Sequence, residues 1–187
     1  MNSYKAIVIG GSAGSFQPVT KILSSLREKF DMPIFVCLHR LKHIRSGYVE
    51  ALSIKTKCSI VEPFDKDKIK TGTVYLAPSN YHMLIEIDNT ISLSTEKPVN
   101  HSRPAIDLLF ETASYAYNDK LIGIILSGAN SDGAAGLRVI QERGGVAIVQ
   151  DPNDAQIKTM PKEALKETNT ENIFSLNQII DYIKQKI

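Results

Sequence analysis

The stretch Tyr4 to Ser15, YKAIVIGGSAGS, leaves few folds open to this chain. Ala6-Ile7-Val8-Ile9 is an apolar, largely β-branched run closed by glycine, the pattern of a strand buried on both faces in a parallel sheet. Gly10 and Gly11 permit a sharp turn at the end of that strand. From Phe16 the period changes, and Val19, Ile22, Leu23 and Leu26 recur at helical spacing. The segment reads as strand, tight glycine turn and helix, and in open α/β sheets that turn is where ligands and chemistry sit.

Two chemistries compete for such a turn. In one, glycines let a pyrophosphate approach the helix N-terminus, as in dinucleotide-binding proteins. In the other, Gly10-Gly11-Ser12-Ala13-Gly14 is a G-x-S-x-G turn that lifts a serine hydroxyl clear of the sheet and places backbone N–H groups beside it. Neither pattern is specific alone.

Downstream, the chain alternates between strand and helix. Strands are expected at residues 33–38, 58–61, 73–78, 121–126 and 146–149. Helices are expected from Phe16, over 47–54, from Pro104 as first helical residue through Ala113, over 134–143, near 162–168 and over 176–186. Residues 83–87 and 91–94, separated by Asp88-Asn89-Thr90, read as an antiparallel hairpin. The expected fold is therefore α/β: a doubly wound, mainly parallel, Rossmann-like three-layer sheet with an appended antiparallel hairpin. At 187 residues, one domain spanning 1–187 is expected.

Composition narrows the partners. The net charge is +2 and the basic residues are scattered, with no basic stripe interleaved with aromatics, which argues against nucleic acid. No apolar run approaches the roughly 18 residues of a membrane span, and no signal peptide is visible, so a cytoplasmic protein without membrane insertion is expected. The cysteines, Cys37 and Cys58, fit a reducing compartment, and Cys37 reads as core filler within an apolar run.

Parallel strands gather their C-terminal ends on one edge, and three such ends carry Ser12, His39 and Asp132. These residues supply a nucleophile, a base and an orienting carboxylate. A serine hydroxyl needs a base to remove its proton, and imidazole serves near neutral pH. Each residue also has a plainer reading: Ser12 as a helix cap, His39 as a surface histidine, and Asp132 as a cap and dipole partner at a helix start. The dinucleotide reading loses ground because the second strand ends in His39 and Arg40 rather than in an acid for the ribose. His39 and His43 have i, i+4 spacing but lack a zincin's glutamate, so no metal is expected. No cofactor is expected either.

Several ordered motifs together resemble the catalytic domain of the chemotaxis protein-glutamate methylesterases, the CheB family. They are Ile9 to Ser15, Leu38-His39, Tyr75-Leu76-Ala77-Pro78 with His82-Met83, Val99 to Pro104, Leu126 to Gly136, and Met160 to Ala164. The resemblance covers nearly the whole chain. It implies hydrolysis of methyl esters on receptor glutamates, in many members with deamidation of receptor glutamines, as part of chemotaxis adaptation. It casts Ser12 as nucleophile, His39 as base and then acid, Asp132 as the residue orienting His39, and the backbone N–H groups near Ala13 and Ala129 as the oxyanion hole.

The chain departs from the family's common pattern in having Ser15 for glycine and Ala129 for methionine. Three residues precede Tyr4, so no receiver domain is expected within this chain: it is either an excised domain or a protein that stands alone, and a separate receiver protein acting in trans is one further partner the resemblance allows. The implied partners are methylated chemoreceptor cytoplasmic helices. The alternatives are a serine esterase or amidase for another substrate, and a non-catalytic, nucleotide-binding Rossmann-like module.

Overall fold

The structure, a computed structural model, describes residues 4–39 and 47–187. Arg40 and His43, weighed above against the dinucleotide and metal readings, lie outside the described residues.

Seven strands form one sheet: β1 (Ala6–Gly11), β2 (Ile34–Leu38), β3 (Ser59–Val61), β4 (Thr73–Leu76), β7 (Leu121–Ile125), β8 (Val146–Gln150) and β9 (Ile173–Phe174). Their order is β3-β4-β2-β1-β7-β8-β9, and every neighbouring pair is parallel. The chain winds outward from β1 in one direction through β2 and returns on its other side at β7. The switch point therefore falls at β1, where the glycine turn begins.

Alternation along the strands assigns side chains to two cores. Ile7, Ile9, Ile34, Val36, Ile122 and Ile124 face α1 (Phe16–Ser25) and α6 (Leu176–Lys186), whose Val19, Ile22, Leu23, Ile179 and Ile183 are buried against them. Ala6, Val8, Phe35, Cys37, Leu121 and Ile125 face the opposite layer, built from α3 (Ile106–Tyr117), α4 (Ala134–Glu142) and α5 (Thr159–Glu167). The short α2 (Tyr48–Ser53) adds Leu52 to the first core. Fully burying one such Ile or Leu contributes about 1.5–3 kcal/mol, so both faces of the sheet are strongly specified.

The hairpin β5 (His82–Ile85) and β6 (Ile91–Ser94) is antiparallel and forms its own two-stranded sheet. Met83 and Ile85 of β5 pack against α3, and Ile91 joins the same core. Buried His82 ties the hairpin to the segment entering α3: its Nδ1 accepts the Ala105 N–H at 3.2 Å, and its Nε2 lies 3.1 Å from the Lys97 carbonyl.

Two expectations need correction, and one strand was not expected. Helix α3 begins at Ile106, two residues after Pro104, because its N-terminal N–H groups are anchored by a distant carboxylate described below. Helix α5 begins at Thr159, three residues before the expected 162. The two-residue edge strand β9 carries too little pattern to be read from sequence.

Candidate active site

Backbone pairing sets the site. The His39 N–H donates to the Gly11 carbonyl at 3.1 Å, so Ser12 and His39 leave neighbouring strands side by side. On the other flank of β1, the Ser12 N–H donates to the Ser127 carbonyl at 3.0 Å, which draws the loop after β7 against the glycine turn. That loop carries Asp132 back across the edge to His39, where Asp132 Oδ2 and His39 Nε2 are 2.7 Å apart. The histidine side chain is 13% exposed and the aspartate is fully buried, so this pair interacts with little solvent screening.

The turn itself is packed protein on protein. Ser15 is fully buried. Its Oγ accepts the Ser12 N–H at 3.0 Å and donates to the Ser127 carbonyl. A Cβ at Gly11 would collide with Ser15 Oγ, so glycine is required by the approach of the protein's own side chain. A pyrophosphate loop would leave these N–H groups for the ligand, whereas Ser12 N–H is already spent here. Ser12 is not the helix cap either, since the N-cap position of α1 is Ser15, which makes no side-chain capping bond.

Removing the Ser15 hydroxyl takes away both the acceptor for Ser12 N–H and the link to Ser127. Ser15→Ala is expected to cost about 1–2 kcal/mol, read as a fall of about 4 °C in Tm. It should also lower kcat roughly tenfold through a looser nucleophile turn. An unchanged melting curve would show that the hydroxyl contributes nothing.

Asp132 caps a helix other than the one it precedes. Gly133 is the N-cap of α4 with φ 94, and this left-handed turn directs Asp132 toward α3. Asp132 Oδ2 accepts the Ile106 N–H at 2.8 Å, and Oδ1 accepts the Asp107 N–H at 3.1 Å. The carboxylate thus sits on the positive end of α3 while it holds the imidazole. Asp107 returns the arrangement: its Oδ1 accepts N–H groups from Gly133 at 2.9 Å and Gly136 at 2.7 Å, at the start of α4. Burial, with the Asp132 charge adding to it, pushes the Asp107 carboxyl up to about 6.

With an ionised Asp132 accepting from Nε2–H, the basic lone pair of His39 is on Nδ1. That nitrogen faces Asn130 Nδ2 at 3.4 Å and Ser102 Oγ at 3.5 Å. Asn130 is itself held in place, its Oδ1 accepting the Asp132 N–H at 3.2 Å. Among the described residues Ser12 Oγ makes no hydrogen bond, to His39 or to any other group.

Among the described residues neither the Ala13 N–H nor the Ala129 N–H donates to a protein acceptor. Ser12 N–H, spent on Ser127 and Ser15, is thereby excluded as a third donor. The Ala129 loop is fastened from below, where Gly128 N–H donates to the Ile157 carbonyl at 3.0 Å and Met160 N–H to the Gly128 carbonyl at 2.9 Å. This gives the Met160 segment its structural purpose.

Ser12, His39 and Asp132 thus meet at one sheet edge, while Asn100, Asp107, Asn130 and Ser102 surround them without having been singled out as site residues from the sequence. Asp107 had one local signal, an acid in the first turn of a helix. Its role at the neighbouring helix had none.

A doubly wound sheet with serine, imidazole and buried carboxylate at its switch point is the architecture of an α/β hydrolytic enzyme. Residues 7–183 match the family model described as CheB methylesterase. A Leptospira interrogans protein is 48% identical over 179 residues, covering 96% of this chain and 93% of its own. The Geobacter metallireducens protein-glutamate methylesterase/protein-glutamine glutaminase 4 is 36% identical over 163 residues, 87% of this chain but 47% of its own, so this chain spans about half of that protein. The crystal structure of the Thermotoga maritima CheB methylesterase catalytic domain superposes with a TM-score of 0.93 at 26% identity, covering 99% of this chain and 100% of that one. The chain belongs to the CheB methylesterase family.

Proposed function

We propose that this chain hydrolyses the γ-methyl esters of glutamate side chains on chemoreceptor cytoplasmic helices, using Ser12 as nucleophile, His39 as general base and acid, and Asp132 to orient His39. The observation that carries this reading is the 2.7 Å Asp132–His39 contact beside a serine whose strand is the immediate neighbour of the histidine's. Family membership supplies the substrate class.

His39 Nδ1 takes the Ser12 proton as Oγ attacks the ester carbonyl. The oxyanion is met by the Ala13 and Ala129 N–H groups, each such donor being worth about 10²–10³ in rate. Collapse breaks the bond to the methoxy oxygen, which takes the proton from imidazolium and leaves as methanol. Water, deprotonated by Nδ1, then attacks the acyl-serine and releases free glutamate and Ser12. With glutamine, the same steps would expel ammonia in place of methanol. Asp132 stays ionised throughout and stabilises the imidazolium.

A single domain over 1–187 working in the cytoplasm fits this reading. Among the described residues no helix is long and apolar enough to cross a membrane. The nucleotide-module alternative is disfavoured by the spent Ser12 N–H and the filled space over Gly11.

A serine-reactive phosphonate should label Ser12 stoichiometrically, with peptide mass mapping placing the adduct on the Gly11–Gly14 turn. Labelling should vanish in His39→Ala, which lacks the base. Labelling of another serine, or none under conditions where methanol is released from methylated receptor, would overturn the assignment.

A further inference from the structure

The carboxylates of Asp132 and Asp107 are exchanged between two helix N-termini. Asp132, just before α4, docks on the first N–H groups of α3; Asp107, in the first turn of α3, docks on Gly133 and Gly136 at the start of α4. Asn100 joins them, its Nδ2 lying 2.7 Å from Asp107 Oδ2 and 3.5 Å from Asp132 Oδ1. Asn100 is itself aimed by a tight two-residue turn with His101. Both residues have positive φ, 49 and 62, and the turn is closed by Val99 N–H to Ser102 carbonyl at 3.1 Å and Ser102 N–H to Val99 carbonyl at 2.8 Å.

We propose that Asp107 is a positioning residue for the reaction: its ionised carboxylate, clasped to the start of α4 and bridged by Asn100, holds Asp132 in the place from which it orients His39. This inference rests on the Ser12–His39–Asp132 reading above. Asp107 grips Gly133, the residue next to Asp132, so any slack in the clasp passes directly to the carboxylate that holds the imidazole.

The clasp requires the ionised form. Oδ1 is occupied by two N–H groups, so a proton would go to Oδ2, where Asn100 already donates. Asn100 could meet that proton only by turning its amide, which would set its Oδ1 against the Asp132 carboxylate and lose the bridge. The charged groups facing Asp107 are Asp132 on the β7–α4 loop, with His39 beyond it, and Glu163 and Glu167 of α5, which border the same hollow. Both glutamates are paired, Glu163 with Lys166 at 2.6 Å and Glu167 with Arg138 at 3.5 Å.

The Asp107 carboxyl titrates at about 6, raised from 3.8 chiefly by burial. A raised folded-state value contributes stability below about 3.8 that is lost as pH rises through about 6. At pH 7 the ionised group is thus a net burden on stability. A residue serving only as a helix cap would behave in the opposite way.

The test uses Asp107→Asn, Asn100→Gly and, as a reference, Asp132→Asn, with methanol release from methylated receptor fragments and thermal melting of each protein. Asp107→Asn keeps an acceptor for Gly133 and Gly136 but presents N–H to Asn100, so it reproduces the protonated clasp at every pH. It should lower kcat at pH 8 by about 10²-fold with KM unchanged, and its Tm at pH 7 should not fall.

In the wild type, full activity needs both neutral imidazole and ionised Asp107, so log(kcat/KM) should fall on the acid side with a slope steeper than one over about two decades. In Asp107→Asn the slope should be one. Asn100→Gly, which removes the amide but suits the positive φ of 49, leaves both caps intact and should lower kcat roughly tenfold; it decides the matter if Asp107→Asn does not fold. Wild-type kcat with an unchanged acid limb would overturn the proposal, as would a loss of activity that merely tracks a fall in Tm. If Asp132→Asn keeps full turnover, the triad reading itself fails; if Asp132→Asn is inactive while Asp107→Asn is normal, only the positioning role fails.

Discussion

Ser12→Ala lowers kcat for methyl-ester hydrolysis by about 10⁶-fold and leaves Tm unchanged. The size follows from chemistry with no substitute: without Oγ no acyl intermediate forms, and what remains is binding and the oxyanion donors. The unchanged stability follows from structure, because Ser12 is held through its backbone N–H rather than its hydroxyl. His39→Ala should cost about as much, since the serine is inert without its base. Asp132 would keep its bonds to Ile106 and Asp107 in that variant, so the fold survives. The double variant should be little worse than either single, as expected of groups acting as one unit. Methanol release from methylated receptor measures all three, and ordinary turnover by folded Ser12→Ala would end the nucleophile assignment.

Asp132→Asn is expected to cost about 10⁴-fold in kcat. The carboxylate accepts at both oxygens, from His39 Nε2 and Ile106 N–H at Oδ2 and from Asp107 N–H at Oδ1. An asparagine has one acceptor for these two directions. If its oxygen serves Asp107, its NH₂ confronts His39 and drives the imidazole to the tautomer with hydrogen on Nδ1, which cannot take the serine proton. If its oxygen serves His39, an N–H of the α3 cap is orphaned and the imidazolium loses its counter-charge. Asp132→Ala loses the cap altogether and should cost about 1–2 kcal/mol of stability as well. Imidazole ¹⁵N shifts of His39 would report the tautomer directly. A wild-type tautomer with wild-type kcat in Asp132→Asn would refute the orienting role.

Much of this was legible in the residues because it is local. Apolar runs such as Ala6 to Ile9 and Leu121 to Leu126 specify strands buried on both faces, and the change of period after Ser15 specifies a helix. Parallel strands then place the turns that carry Ser12, His39 and Asp132 on one edge as a consequence of direction alone. Family membership could likewise be read from ordered motifs, whose order survives even where Ser15 and Ala129 depart from the usual pattern.

What the sequence could not decide is whatever depends on which elements become neighbours. The partner of Asp132 as a cap is α3, whose first N–H group lies 26 residues away, and this start also fixes α3 at Ile106 rather than Pro104. Asp107 and Gly133 are likewise 26 residues apart, and no period in the chain links them. Which imidazole nitrogen meets the carboxylate is set by the path of the β7–α4 loop over the sheet edge. Apolar patterning counts residues along one chain direction, so it determines the strands, the helices and the edge that bears the chemistry. Hydrogen bonds between chain ends obey geometry in space, so the tertiary structure alone decided that two helix N-termini would trade carboxylates around His39.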